Sequence, residues 1–169
     1  MEILLVDGYN IIGAWKELQQ LKQRSLVDSR DRLIEMMADY QAFSGMRVIV
    51  VFDAYLVPGR ATKLKQHNVE VIFTKSKETA DARIERLTNE LMNRRTKVYV
   101  ATSDMTEQNV IFGNGALRKS AREFEIDYLT TQKNISEKVQ ESVQKIPVRK
   151  INISDEVAIK LEEMRRGKF

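Results

Sequence analysis

Short apolar runs recur along this chain, and each ends at, or shortly before, an acidic residue. Ile3-Leu4-Leu5-Val6 runs into Asp7, and Val48-Ile49-Val50-Val51-Phe52 runs into Asp53. Val69 to Phe73 precedes Glu78 and Asp81, and Val98-Tyr99-Val100-Ala101 precedes Asp104. β-branched runs of this length, separated by helix-length segments, predict strands of a parallel sheet. The intervening segments carry helical spacing. One helix is predicted from Tyr9-Asn10 to about Leu21. A second runs from about Val27 to Phe43, with Leu33, Met36, Met37 and Tyr40 on one face and Ser44-Gly45 as its stop. A third, from about Thr79 to Asn93, buries Ala80, Ile84, Leu87 and Leu91. Pro58-Gly59 opens a short basic segment reaching Gln66. After Gly113-Asn114-Gly115 a helix restarts from Ala116 to Phe124, and Ile126 to Leu129 reads as a short fifth strand.

This alternation implies a three-layer, Rossmann-like α/β/α domain around a central, mostly parallel sheet. We assign it residues 1–130. Residues 131–169 form a polar, mildly basic C-terminal extension with two candidate helices. Pro147 to Ile153 is its connector, and Ser154 is an N-cap candidate.

Sheets of this kind bind ligands at the carboxyl ends of their strands. The acids therefore collect at one edge, where their repulsion is costly unless a cation sits among them. Carboxylate and water oxygens suit Mg²⁺ or Mn²⁺, so the constellation predicts a divalent-metal site. Asp7, at the end of a central strand, is the first ligand candidate; Asp81 and Asp104 follow. Glu78, Asp81 and Glu85 are spaced to share one helix face. Asp53, Glu78, Asn10 and Ser103 are supporting candidates. Taken singly, each acid is better read as a helix cap or as part of a solvated face. Their joint placement at strand ends favours the shared site.

Composition narrows the chemistry. With 43% hydrophobic and 31% charged residues the chain reads as a soluble globular protein, and no apolar run is long enough to span a membrane. The first strand begins within two residues of Met1, which leaves no room for a cleavable signal peptide. The absence of cysteine removes thiol and zinc–thiolate chemistry and is compatible with a cytoplasmic setting. A single histidine, His67, removes two-imidazole ribonuclease chemistry and leaves metal-activated water open.

The net charge of +4 is uneven: from Lys133 onward nine Lys/Arg face six Asp/Glu, which is +3. Such mild basicity fits a polyanion partner. Lys75 and Lys77 flank the acids on the same sheet edge. Arg60, Lys63 and Lys65 follow strand two, and Arg118 follows the Gly113 loop. These are candidate phosphate contacts. Arg94, Arg95 and Lys97 fall at the opposite edge. Trp15 either stacks on a base or packs in the core, with packing favoured.

The segment Ile3 to Asn10, reading Ile-Leu-Leu-Val-Asp-Gly-Tyr-Asn, resembles the opening of the NYN domain in the PIN-like nuclease superfamily. Val51-Phe52-Asp53-Ala54, Phe73-Thr74-Lys75 with Glu78-Thr79-Ala80-Asp81, Thr102-Ser103-Asp104 and Gly115-Ala116-Leu117-Arg118 resemble later motifs in the same order. Within that superfamily the set is most similar to the bacterial YacP-like proteins, which include a ribosome-associated messenger-RNA endoribonuclease. The resemblance implies a PIN-like fold and a metal-dependent endoribonuclease acting on mRNA, with Asp7, Asp81 and Asp104 as acidic site residues. It also implies a bacterial cytoplasmic setting and a ribosome as partner. Oligomeric state stays open. Two other classes compete. One is an RNA or ribosome binding module without catalysis, to which a carboxylate pocket would bring nothing. The other is a Mg-dependent phosphatase with Asp7 as nucleophile, which normally carries a second acid two residues on, where this chain has Tyr9.

Overall fold

A computed structural model describes residues 1–54, 62–104, 109, 113, 115–145 and 154–167. Arg60, Pro58-Gly59, Asn114 and the connector from Pro147 to Ile153 lie outside them. Two compact units are present, Met1–Ile135 and Ser136–Phe169.

The first unit is built on a sheet of strands β1 (Glu2–Asp7), β2 (Arg47–Phe52), β3 (Thr62–Gln66), β4 (Val69–Phe73), β5 (Lys97–Ala101) and β6 (Leu117–Lys119), in the order β3-β4-β2-β1-β5-β6. Five strands run parallel, and β3 pairs antiparallel with β4. The helices are α1 (Gly8–Ala14), α2 (Lys16–Arg24), α3 (Leu26–Ser44), α4 (Ala80–Leu91) and α5 (Ala121–Lys145), with α6 (Asp155–Arg165) in the second unit. The strand alternation sorts the core. Leu4, Val6, Val48, Val50 and Phe52 pack with α1, α2, α3 and the start of α5 on one face. Ile3, Leu5, Ile49 and Val51 pack with Ala80, Ile84 and Leu87 of α4 on the other. This is the expected three-layer α/β/α architecture.

Four local expectations are corrected. The helix foreseen from Tyr9 to Leu21 is two helices, broken at Trp15, whose backbone is extended (φ −88, ψ 125). The break turns the indole inward, where Nε1 donates to the Ala121 carbonyl at 2.9 Å and the ring packs on Phe124 and Tyr128. Trp15 is 1% exposed and is a core residue. The basic segment before Gln66 is strand β3. Its turn places His67 and Asn68 at φ 49 and 67, the paired left-handed geometry of a tight hairpin. A lysine-rich strand at a sheet edge hides from a hydrophobicity pattern while discouraging further pairing.

The helix expected from Ala116 is instead the short edge strand β6, paired with Tyr99 to Ala101. The strand expected at Ile126 to Leu129 lies inside α5. There Ala121, Phe124, Tyr128 and Thr131 are buried at spacings of three and four, while Ile126 and Leu129 are exposed. Helical periodicity prevails over the β-prone composition of that stretch. In the second unit α6 begins after Ser154 as foreseen, although the serine side chain makes no capping hydrogen bond.

Candidate active site

The sheet order puts β2 and β4 on one side of β1 and β5 and β6 on the other, so the crevice between the carboxyl ends of β1 and β5 is the topological switch point of the sheet. Asp7 stands there. The period of two that points Ile3 and Leu5 toward α4 also points Asp7 there, and Asp53 follows directly after the adjacent strand, whose Ile49 and Val51 face the same way. Asp81 enters from above, in the first turn of α4. Thr79 caps that helix, its Oγ1 accepting from the Ala82 amide at 3.2 Å. Asp104 comes from the far side, beyond β5, where its amide donates to Thr102 Oγ1 at 3.1 Å.

Asp7 is 6% exposed and also caps α1, accepting from the Asn10 amide at 3.3 Å. Capping and a role in the cluster coexist, because the cap uses one carboxylate oxygen. Burial, reinforced by the charges of Asp81, Asp104 and Asp53, pushes the Asp7 carboxyl up to about 7 despite the opposing hydrogen bond. The Asp81 carboxyl is raised too, first by desolvation and then by Asp104 and Asp53. Side chains from four separate chain segments thus sense one another across a single edge. Among the described residues no three acidic or histidine side chains stand as a ready-made metal cage. That is compatible with hard-cation chemistry: uncompensated carboxylates hold apart, and Mg²⁺ is commonly held by one or two carboxylates while keeping several waters. The donor set suits Mg²⁺ or Mn²⁺.

Supporting contacts fix the rim. Asn10 Oδ1 accepts from both the amide and the hydroxyl of Ser103, each at 2.6 Å, tying the start of α1 to the segment after β5. Thr74, fully buried, accepts from the Ala54 amide at 2.9 Å and so pins the backbone beside Asp53. Sequence reasoning missed Thr74 and Thr102, although both lie in the Phe73-Thr74-Lys75 and Thr102-Ser103-Asp104 motifs. Their signal was a hydroxyl next to a strand end, where a loop amide needs an acceptor.

Glu78 differs from its expected placement. It precedes the Thr79 cap, so it does not share a helix face with Asp81 and Glu85. Its carboxylate takes the Arg86 guanidinium at 2.6 Å and the Lys75 amide at 3.3 Å, bracing the β4–α4 turn. Lys75 and Lys77 are exposed on that turn, on the edge that carries the acids. Arg118 is exposed on β6, and His67 is exposed at the opposite end of the sheet. A cavity of about 680 Å³ also opens at that opposite end, beside Met1, Gln41, Arg47 and Glu70.

The YacP-like NYN domain model matches residues 4–166. The chain belongs to the YacP-like NYN family. It is 54% identical over 167 residues to a Bacillus subtilis (strain 168) protein described as uncharacterized protein YacP, covering 99% of this chain and 98% of that one. The crystal structure of Rae1 (YacP) from Bacillus subtilis is similar with a TM-score of 0.77 at 54% identity, covering 99% of this chain and 96% of that chain. A structure of a mutant of that protein gives the same TM-score and coverage at 50% identity. Membership in the NYN family supports a nuclease-like, RNA-related role. Among the described residues no helix is long and apolar enough to cross a membrane.

Proposed function

We propose that this chain is a metal-dependent endoribonuclease that hydrolyses phosphodiester bonds of mRNA, working with translating ribosomes in a bacterial cytoplasm. The observation that carries the catalytic part is the electrostatic coupling of Asp7, Asp53, Asp81 and Asp104 at one sheet edge, with Asp7 pushed up to about 7. A buried aspartate facing other carboxylates lowers stability, and it is explained by a cationic ligand that uses the group. The ribosomal setting follows from the likeness of the motifs at Asp7 to Asn10, Glu78 to Asp81 and Thr102 to Asp104 to those of YacP-like proteins. The proposed C-terminal extension, residues 131–169, includes the Ser136–Phe169 unit.

Asp7, Asp81 and Asp104 would hold Mg²⁺ or Mn²⁺, with Asp53 alongside. When bound, the ion supplies positive charge for the phosphodiester's transition state and makes water more acidic. The chain's own contribution is placement. The α1 cap fixes the Asp7 rotamer, the Thr79 cap sets the first turn of α4, and Thr102 with Asn10 holds the Asp104 segment. Held this way, the groups need little reorganisation when the scissile phosphate arrives. Lys75 and Lys77, with Arg60 and Arg118, are proposed to bind flanking phosphates. A phosphatase would need an acid at position 9, where the Tyr9 hydroxyl instead accepts from Arg30 at 2.9 Å.

The test is cleavage of mRNA, free and on translating ribosomes, with Mg²⁺, Mn²⁺ or chelator, and with Asp7→Asn as control. Metal-dependent cleavage that falls about a hundredfold or more in the variant is expected. Wild-type rates from Asp7→Asn, or undiminished cleavage in chelator, would refute the assignment.

A further inference from the structure

One cation at the carboxyl edge was invisible in the sequence. Arg30, in the second turn of α3, is half-buried. Its Nη1 donates to Tyr9 Oη at 2.9 Å, and its guanidinium carbon lies 6.0 Å from the centroid of Phe73. Among the described residues no carboxylate pairs with it. Buried arginines ordinarily have an acidic partner, because a partly desolvated guanidinium without an anion is costly. Even Arg32, Arg47 and Arg86, none of them buried, pair with Glu17, Glu70 and Glu78.

The surroundings place this charge at the rim of the acid cluster. Tyr9 is two residues beyond Asp7, and its ring lies 5.0 Å from that of Phe52, the residue before Asp53. Phe52 in turn stacks on Phe73 at 5.6 Å. Phe52, Tyr9 and Phe73 belong to the core face under α1 to α3, while Asp7, Asp53 and Asp81 belong to the α4 face. The guanidinium and the carboxylates therefore flank the same edge from opposite sides. Lys75, two residues beyond Phe73, is a further exposed cation on this edge.

We infer that Arg30 and the Tyr9 hydroxyl form a phosphate subsite for the RNA strand next to the scissile bond. Phe73 props the guanidinium plane from beneath, leaving its unused N–H groups for phosphate oxygens in the forked geometry arginine favours. Because the Tyr9 oxygen accepts from Arg30, its own proton is available for donation to the same phosphate. A strand crossing the edge then has one phosphate among the carboxylates and a neighbouring one on Arg30. The inference rests on RNA being the substrate, as proposed above.

The test is binding of a fluorescent single-stranded oligoribonucleotide to the full chain in chelator, titrated over a range of KCl concentrations. Arg30→Met keeps an apolar stem over Phe73 and removes the charge. It should weaken binding about tenfold and reduce the magnitude of the salt slope by about 0.7, the share of one phosphate contact on a single strand. Arg30→Lys should keep the slope yet lose about threefold in affinity, because an ammonium lacks the fork. Tyr9→Phe, which keeps the ring, should cost about threefold with the slope unchanged. A purely structural Arg30 would lower the melting temperature without touching the slope. Wild-type affinity and slope in Arg30→Met, or in Tyr9→Phe should Arg30→Met fail to fold, overturn the subsite alone. Absence of salt-dependent RNA binding by the unmodified chain overturns the RNA reading with it.

Discussion

Replacing Asp7 by Asn should stabilise the metal-free protein, and by an amount that depends on pH in a defined way. In the folded chain the carboxyl titrates near 7, against 3.8 for an unperturbed aspartate. The native state therefore holds its proton more tightly than the unfolded state, and stability must fall as pH rises between those two values. A shift of about three units at about 1.36 kcal/mol each corresponds to about 4 kcal/mol. Below about pH 4 the carboxyl is neutral in both states, so wild type and Asp7→Asn should be nearly equally stable. The advantage of the variant should then grow by about 1.4 kcal/mol per pH unit and level off above about pH 7. The cap should survive, because the asparagine Oδ1 can still accept from the Asn10 amide. Urea unfolding of both proteins at pH 4, 6 and 8 in chelator measures the difference, and groups not coupled to Asp7 cancel in the subtraction. Added Mg²⁺ should then raise wild-type stability more than that of the variant, since a ligand stabilises only the state that binds it. A difference that stays flat with pH, or a variant less stable than wild type at pH 8, would show that Asp7 is not the strained charge described.

Gly8 begins α1 directly against the buried Phe52 ring, and a Cβ there would run into it. Gly8→Ala should lose about 1–3 kcal/mol by chemical denaturation, since a ring packed between Tyr9 and Phe73 has nowhere to retreat. Asn10→Ala removes both bonds to Ser103 and should cost about 1–2 kcal/mol. It should also slow cleavage more than it lowers RNA affinity, and an unchanged rate would detach the Asp104 segment from the site. Lys75→Gln with Lys77→Gln should reduce the magnitude of the salt slope of RNA binding by about 0.7 per lysine. An unaltered slope would remove these residues from the RNA path.

What the sequence disclosed and what it concealed divide along a physical line. Strands β1, β2, β4 and β5 are dominated by apolar residues, so composition alone marks them, and the acids at or beyond their ends follow from chain order. β3 and β6 lie at the sheet edges, pair on one side only, and carry lysines and an arginine, so no hydrophobic pattern betrays them. Ile126 to Leu129 misled because two of its apolar residues face solvent, and only the spacing of Ala121, Phe124, Tyr128 and Thr131 reveals the helix. Glu78 misled for a similar reason. Spacing from Asp81 is meaningful only inside a helix, and that helix starts at Ala80, two residues beyond Glu78.

Arg30 shows the limit most clearly, and why tertiary placement decides function at this edge. In sequence it is one charge among Asp28-Ser29-Arg30-Asp31-Arg32, a stretch that reads as the solvated side of a helix. Folding gives its neighbour Arg32 a partner in Glu17, 15 residues away, while it turns Arg30 onto Phe73 and Tyr9. The same sheet twofold alternation that sends Asp7 and Asp53 toward α4 sends Phe52 and Phe73 the other way. Negative and positive groups are thereby separated to the two sides of one strand end. A carboxylate cluster alone would repel a phosphodiester. With cations held on the opposite flank, the edge can draw a polyanion across itself while reserving the carboxylates for the ion that neutralises them. The two charge sets are therefore interdependent, so Arg30→Met should lower cleavage of dilute RNA through binding, whereas Asp81→Asn should lower cleavage even of saturating RNA.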